Sequence, residues 1–261
     1  MKIGFGLIVS ALLALPASAQ EACEDLVGKT IQTSGFEATT KPFAKLPPKD
    51  EFETTEQYET RLAQATSGLP TTLFIPVPFS AEYAPYNADK QQFEIDSYAV
   101  VNLPIDWISV FSVTEPFQDH GKDIGMFVEQ QEKPTGSYQA TNAFGTKAKI
   151  VKVTTTTSLI HDRRDKDYLS DILPKRGYTE KVAWNLAATP DAARQLKGKL
   201  RAAVMIAPKA PYFLELSGHT RPPTLSLPIE ESPKYRVLFA DIRCIVITDD
   251  RNEVLVSQIT S

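Results

Sequence analysis

The three histidines, His120, His161 and His219, are the first residues to weigh for chemistry. No two share a helical or strand spacing, so no two-histidine metal site can be read from them. Asp119-His120 with Asp123 would make a small metal or acid–base cluster if the loop folded tightly; beside Gly121 it also reads as a polar surface turn. His161-Asp162 is a dipeptide used by metal phosphodiesterases. That chemistry needs helix-borne partners, and here the dipeptide follows a strand pattern and runs into Arg163-Arg164. The whole cluster to Asp167 has its acids and bases interleaved and reads as a solvated turn. His219, between Gly218 and Thr220, reads as exposed.

Other catalytic patterns are missing. No G-x-S-x-G occurs, and Ser67 and Ser217 lack the strand–turn–helix setting of a nucleophile. No phosphate loop or dinucleotide fingerprint is present, which argues against ATP and NAD enzymes. Glu230-Glu231 and Asp249-Asp250 fall in expected turns, where adjacent acids are normally solvated. No cofactor is implied, and the catalytic residues stay unassigned. The best binding candidate is the connection 208–233, which carries six prolines. A loop of more than about 15 residues is uncommon without a role. Tyr212, Phe213, His219 and Arg221 would give it aromatic surface and a cation, on a chain stiffened by proline. The same segment also reads as a cover whose apolar residues fill the core.

Composition frames these candidates. The chain has 261 residues, 42% hydrophobic and 23% charged, an ordinary globular balance. Residues 1–19 read as a signal peptide: Lys2, an apolar run from Ile3 to Leu15, and Ala17-Ser18-Ala19 before Gln20. The run is short of the roughly 20 residues of a bilayer span, and no later segment is apolar for long enough. A periplasmic or secreted, soluble protein is expected, cleaved after Ala19 and without an integral membrane segment. The formal net charge is −4, and loss of Lys2 makes it one unit more negative. That argues against nucleic acid and anionic lipid as partners.

Cys23 and Cys244 lie near opposite ends of the mature chain without metal-ligand spacing. In an oxidising compartment they suggest a disulfide bond pinning the N-terminal segment to a C-terminal strand. A buried free thiol at Cys244 and lipidation of Cys23 are the alternatives, the latter poorly supported by Gln20-Glu21-Ala22.

The elements that must position these residues follow from pattern. Lys41-Pro42 and Pro47-Pro48 predict an extended arm over 20–50. Thr54 with Gln57 forms a capping-box pattern, and Tyr58, Leu62 and Ala65 give an apolar stripe up to Gly68. A second helix is bounded by Thr189, Pro190, Asp191, Lys197 and Gly198. Strands are expected at Thr71–Val77, Gln91–Val101, Trp107–Val113, Gly125–Gln130, Lys147–Ile160, Val182–Leu186 and Leu200–Ile206. A hairpin, Tyr235–Thr248 and Glu253–Ile259, closes the chain. The expected fold is α+β, mainly antiparallel sheet with two short packed helices. It forms one domain over 51–261, with a possible subdivision near 161–177.

The segment Phe52-Glu53-Thr54-Thr55-Glu56-Gln57-Tyr58-Glu59-Thr60-Arg61 resembles the F-E-T-x-x-x-Y-x-x-R segment of a family of exported bacterial proteins. Tyr86–Lys90, Thr141–Gly145 and Ala210-Pro211-Tyr212 through Pro223-Thr224 resemble its other recurring segments, in the same order. The resemblance implies a bacterial envelope protein and carries over no catalytic residue. Read physically, Phe52 and Tyr58 would staple the helix start, and Phe144-Gly145 would begin a strand or bulge. The functional expectation is a non-enzymatic binding or scaffolding protein with an envelope protein as possible partner. A cofactor-independent or metal-dependent periplasmic hydrolase is the alternative.

Overall fold

A computed structural model describes residues 23–47, 49–100, 125–162 and 182–259. The expected signal peptide, Asp119-His120-Asp123, Trp107–Val113 and most of the stretch 161–177 lie outside them. The fold is α+β. Its larger sheet contains β1 (Leu73–Val77), β4 (Gly125–Thr141), β5 (Lys147–Asp162), β7 (Arg201–Ser217), β8 (Ile229–Thr248) and β9 (Val254–Ile259), in the order β1-β7-β8-β5-β4 with β9 also on β8. A small antiparallel sheet joins β2 (Tyr86–Asn87), β3 (Gln92–Asp96) and β6 (Val182–Ala187). The helices are α1 (Phe36–Thr40), α2 (Thr55–Thr66) and α3 (Pro190–Leu196).

The larger sheet is mixed. β5 runs parallel to the first part of β8, from Val151 opposite Ile229 to Asp162 opposite Ala240, whereas an antiparallel partner was expected. The reason lies in the apolar run of β8. Leu238, Ala240 and Ile242 enter the main core, while Val237 and Phe239 pack on the other face with Leu159 and Tyr235. Farther along, Cys244 and Val246 join a third cluster on that other face. A strand buried on both faces is typical of parallel pairing. The C-terminal hairpin forms as expected, with β9 antiparallel to the end of β8.

Proline does not end the long strands. β7 continues through Pro208 and the cis Ala210-Pro211 bond by shifting register between Pro208 and Phe213. The connection expected over 208–233 therefore shrinks to the turn between Ser217 and Ile229. β4 passes Pro134 in the same way, with a register shift at Pro134/Gly136, and extends well beyond Gln130. It pairs with β5 as a long hairpin whose tip holds the exposed Phe144, so Phe144-Gly145 is a turn. Asn142 Oδ1 accepts from the N–H groups of Phe144 and Thr146 and closes it.

The N-terminal segment is also no extended arm. It carries α1 and two 3-10 turns, Cys23–Leu26 and Phe43–Lys45. Cys23, Leu26 and Ile31 are buried on one face of the large sheet, and Phe36 and Phe43 in the main core. Between them Thr33 bridges Phe74 of β1, and Ser34 N–H donates to the Phe74 carbonyl at 2.9 Å. The segment is a strap that folds over an edge strand. The disulfide Cys23–Cys244 fixes its start, with Cα atoms 5.9 Å apart.

Both well-punctuated helices form. Thr54 Oγ1 accepts from Gln57 N–H, and Gln57 Oε1 from Thr54 N–H, a complete capping box. Only Leu62 of the expected stripe is buried, so α2 does not pack broadly on a sheet. Thr189 caps α3 by accepting from Ala192 N–H, with Pro190 at the first turn. Gly198 follows at φ +74°, a conformation that glycine adopts without strain.

Asp249 was expected in a solvated turn but is buried. Its Oδ1 accepts from Arg251 N–H at 2.8 Å and Glu253 N–H at 2.9 Å, and its Oδ2 pairs with Arg251 Nε at 3.1 Å. Burial pushes its carboxyl up, but these donors outweigh it and hold the group below the ordinary aspartate value. A depressed carboxyl stabilises the fold above the unfolded pKa, and that contribution is lost as pH falls through the folded value. Asp249→Ala is therefore expected to cost about 1–2 kcal/mol at pH 7 and less near pH 3. Urea unfolding at both pH values checks this; an equal cost at each would remove the carboxylate's role.

Candidate functional site

The residues first considered for binding do not assemble into one site. Tyr212 stacks on Phe43, with ring centroids 5.3 Å apart, and its hydroxyl lies 3.4 Å from Thr66 Oγ1. It borders a small cavity of about 240 Å³ with Leu69, Lys209 and Arg243. Phe213 packs against the main core, and the Arg236 guanidinium lies 5.7 Å from its ring centre. Arg221 pairs with Glu231, backbone to backbone and through Nη1 to Oε2 at 3.3 Å. His219 is exposed in the turn. The aromatic residues serve packing, and the cation is held by a carboxylate.

The acids and the buried histidine also found structural settings. Glu230 lies in β8, where its Oε2 accepts from Tyr138 Oη at 2.8 Å and its Oε1 is 3.4 Å from Lys152 Nζ. The Tyr138 hydrogen bond, with Lys152, holds the Glu230 carboxyl below its ordinary range, and Glu230 in turn raises the Tyr138 phenol. This links three neighbouring strands. His161 and Asp162 are no solvated turn: both are buried at the end of β5, His161 edge-on to Phe239 and Asp162 Oδ2 accepting from Ile242 N–H at 2.8 Å. Among the described residues no three His, Cys, Asp or Glu side chains are grouped to hold a metal ion, and no helix is long and apolar enough to cross a membrane.

The F-E-T-x-x-x-Y-x-x-R segment builds a rigid helix entry. Arg61 donates to Glu53 through Nε at 2.9 Å and Nη2 at 2.7 Å, and its guanidinium lies 5.2 Å from the Tyr58 ring centre. The Arg61 hydrogen bond holds the Glu53 carboxyl below its ordinary range. Phe52 does not staple the helix; it is 87% exposed.

A larger cavity lies elsewhere, between the small sheet, α3 and the start of β7. Its volume is about 850 Å³, within the roughly 300–1,000 Å³ usual for small-molecule sites. Ala84, Phe93, Ala193 and Leu200, all buried, form its deep wall. Phe79 and Tyr86 add aromatic surface to the apolar lining. Tyr86 is fixed at both ends: its ring packs edge-on to Phe93 at 5.3 Å, and its hydroxyl donates to the Ala188 carbonyl at 2.9 Å. The β2–β3 hairpin is in turn tied to the α3 entry by Ala188 N–H donating to the Gln91 carbonyl. The walls are therefore held by hydrogen bonds as well as packing.

Three cations line the opening: Arg194, Lys197 and Arg201. Arg194 pairs with Asp191 one turn earlier. Arg201 Nη1 donates to the Gly198 and Leu200 carbonyls at 3.0 and 2.8 Å, which fixes its side chain along the rim. Lys197 and Arg201 have no carboxylate partner among the described residues. No acid lines the cavity there either.

The sequence did mark this neighbourhood, though not as a site. Lys197 reads as a last-turn cation, Asn87–Lys90 as a turn, and Tyr86–Lys90 as a segment of the resemblance; Tyr86 and Ala88 both line the cavity. The missing information was tertiary, since the cavity joins residues more than 100 positions apart. Chemically the arrangement can hold an apolar body and place charge at its mouth; among the described residues the one lining hydroxyl, on Tyr86, is already engaged with Ala188. In comparisons with known proteins, no family model, no curated protein and no solved structure matches the chain.

Proposed function

We propose that this is an exported bacterial envelope protein that acts by binding, and that its site is the cavity between the small sheet and α3. One observation carries the reading: an apolar cavity of about 850 Å³ with walls tied by hydrogen bonds and ring packing. A preformed apolar space lowers the ordering cost of binding. Export is supported by the leader-like residues 1–19 and by a disulfide joining the two cysteines, a bond that persists in oxidising compartments.

The test uses 1-N-phenylnaphthylamine, an uncharged fluorophore that brightens in apolar surroundings. The mature protein is expected to bind it at a single saturable site. Ala193→Leu and Ala88→Trp, which put bulk on the deep wall and at the hairpin turn, should each weaken binding about tenfold or more. Melting temperatures taken alongside show that the variants remain folded. No saturable fluorescence, or folded variants that bind as well as the parent, would sink the reading.

A further inference from the structure

We infer that the natural occupant of this cavity is an amphiphile with an anionic head, its apolar body against Phe79, Phe93 and Leu200 and its charge at the Lys197–Arg201 rim. The inference rests on the binding reading above and adds the charge of the ligand. Its basis is a local reversal of sign. The chain as a whole carries a net charge of −4, yet the cavity is lined by three cations and, among the described residues, by no acid. Acids elsewhere are matched to neighbouring bases, as in Glu53–Arg61, Lys90–Glu94 and Arg221–Glu231. Lys197 and Arg201 are not so matched, although both stand where an occupant would leave the apolar walls.

The position at the mouth is the physically reasonable one for a charged head. A carboxylate or phosphate sunk among Ala84, Phe93 and Leu200 would lose its hydration without compensation. At the rim it stays partly hydrated while facing the Lys197 ammonium and a guanidinium already held in place by the Gly198 and Leu200 carbonyls. Arg offers a planar pair of donors to either oxyanion, and Lys a compact charge. A cationic head would meet like charge, and an uncharged one would gain nothing from the rim. Because the rim is solvent-exposed, the discrimination should be moderate and should shrink as salt rises.

The experiment is displacement of bound 1-N-phenylnaphthylamine by dodecanoate, dodecyl phosphate, dodecanol and dodecyltrimethylammonium, each below its micelle concentration. One or both anions are expected to displace the fluorophore at concentrations about five- to tenfold lower than dodecanol, and the cation to be the poorest. The better anion identifies the head. Lys197→Gln with Arg201→Gln should bring anions and alcohol to within about twofold of each other, with displacement read against the fluorophore affinity remeasured for that variant. Equal displacement by dodecanol and the anions, or a preference that survives the double substitution, would overturn the anionic head and leave the apolar site standing. Failure of the fluorophore to bind would remove the site and this inference together.

Discussion

Replacing Cys23 and Cys244 together by alanine is expected to lower the unfolding free energy by about 3–5 kcal/mol. The two cysteines are 221 residues apart in sequence, so their bond closes most of the chain. In chain-entropy terms so long a loop gives a ceiling of about 5 kcal/mol, through restriction of the unfolded state. A native-state contribution adds to this. The bond sits in a cluster with Leu26, Ile31, Met205, Val246 and Val254, and the strap beyond it pairs with the β9 region through Gly28, Lys29 and Ile31. Urea unfolding of the oxidised parent, the reduced parent and the double variant measures the effect. The reduced parent and the variant should unfold at similar urea concentrations, both well below the oxidised parent. A loss under 1 kcal/mol would mean that the strap holds its place without the bond.

That result bears on what the sequence could disclose. The disulfide was legible because two cysteines in a predicted exported chain leave few alternatives, and both helices were legible because their caps are local. Thr54 with Gln57 and Thr189 with Pro190 need no distant partner to be recognised. Long strands were less legible, because Pro134 and Pro208 look like breaks until a register shift on the paired strand absorbs them. The parallel β5–β8 pairing had a signal in the apolar run Val237–Ala240 of β8, which the four consecutive threonines of β5, Thr154 to Thr157, obscured. The segments that carry the family resemblance turn out to be places of special backbone: a capped helix start, the β2 turn, a hairpin tip and the bulge at Tyr212. Such places fix local geometry wherever they occur, and only the second of them touches the large cavity.

Phe36→Ala is expected to cost about 3–5 kcal/mol, as large as the loss of the disulfide, although Phe36 belongs to a helix of only five residues. Its ring is 1% exposed and lies within the main core. The Arg236 guanidinium stands 5.7 Å from that ring and 5.7 Å from Phe213, a cation held between two aromatic rings with Glu215 3.4 Å from its Nε. Truncation would leave a cavity and remove one side of that holder. Phe36→Leu keeps most of the volume and should cost about 1–1.5 kcal/mol. Urea unfolding of both variants decides; a Phe36→Ala loss no larger than that of Phe36→Leu would mean that the ring is not a core anchor. Combining Phe36→Ala with the cysteine substitutions tests the strap itself. Phe36 and Cys23 lie in different clusters on opposite faces of the sheet, and independent sites would add to within about 0.5 kcal/mol. The strap makes them dependent: once its Phe36 end is released, the Cys23 end has less native structure to hold. The combined loss is therefore expected to fall short of the sum by about 1 kcal/mol or more. Strict additivity would instead describe two separate anchors on a segment with no cooperative fold of its own.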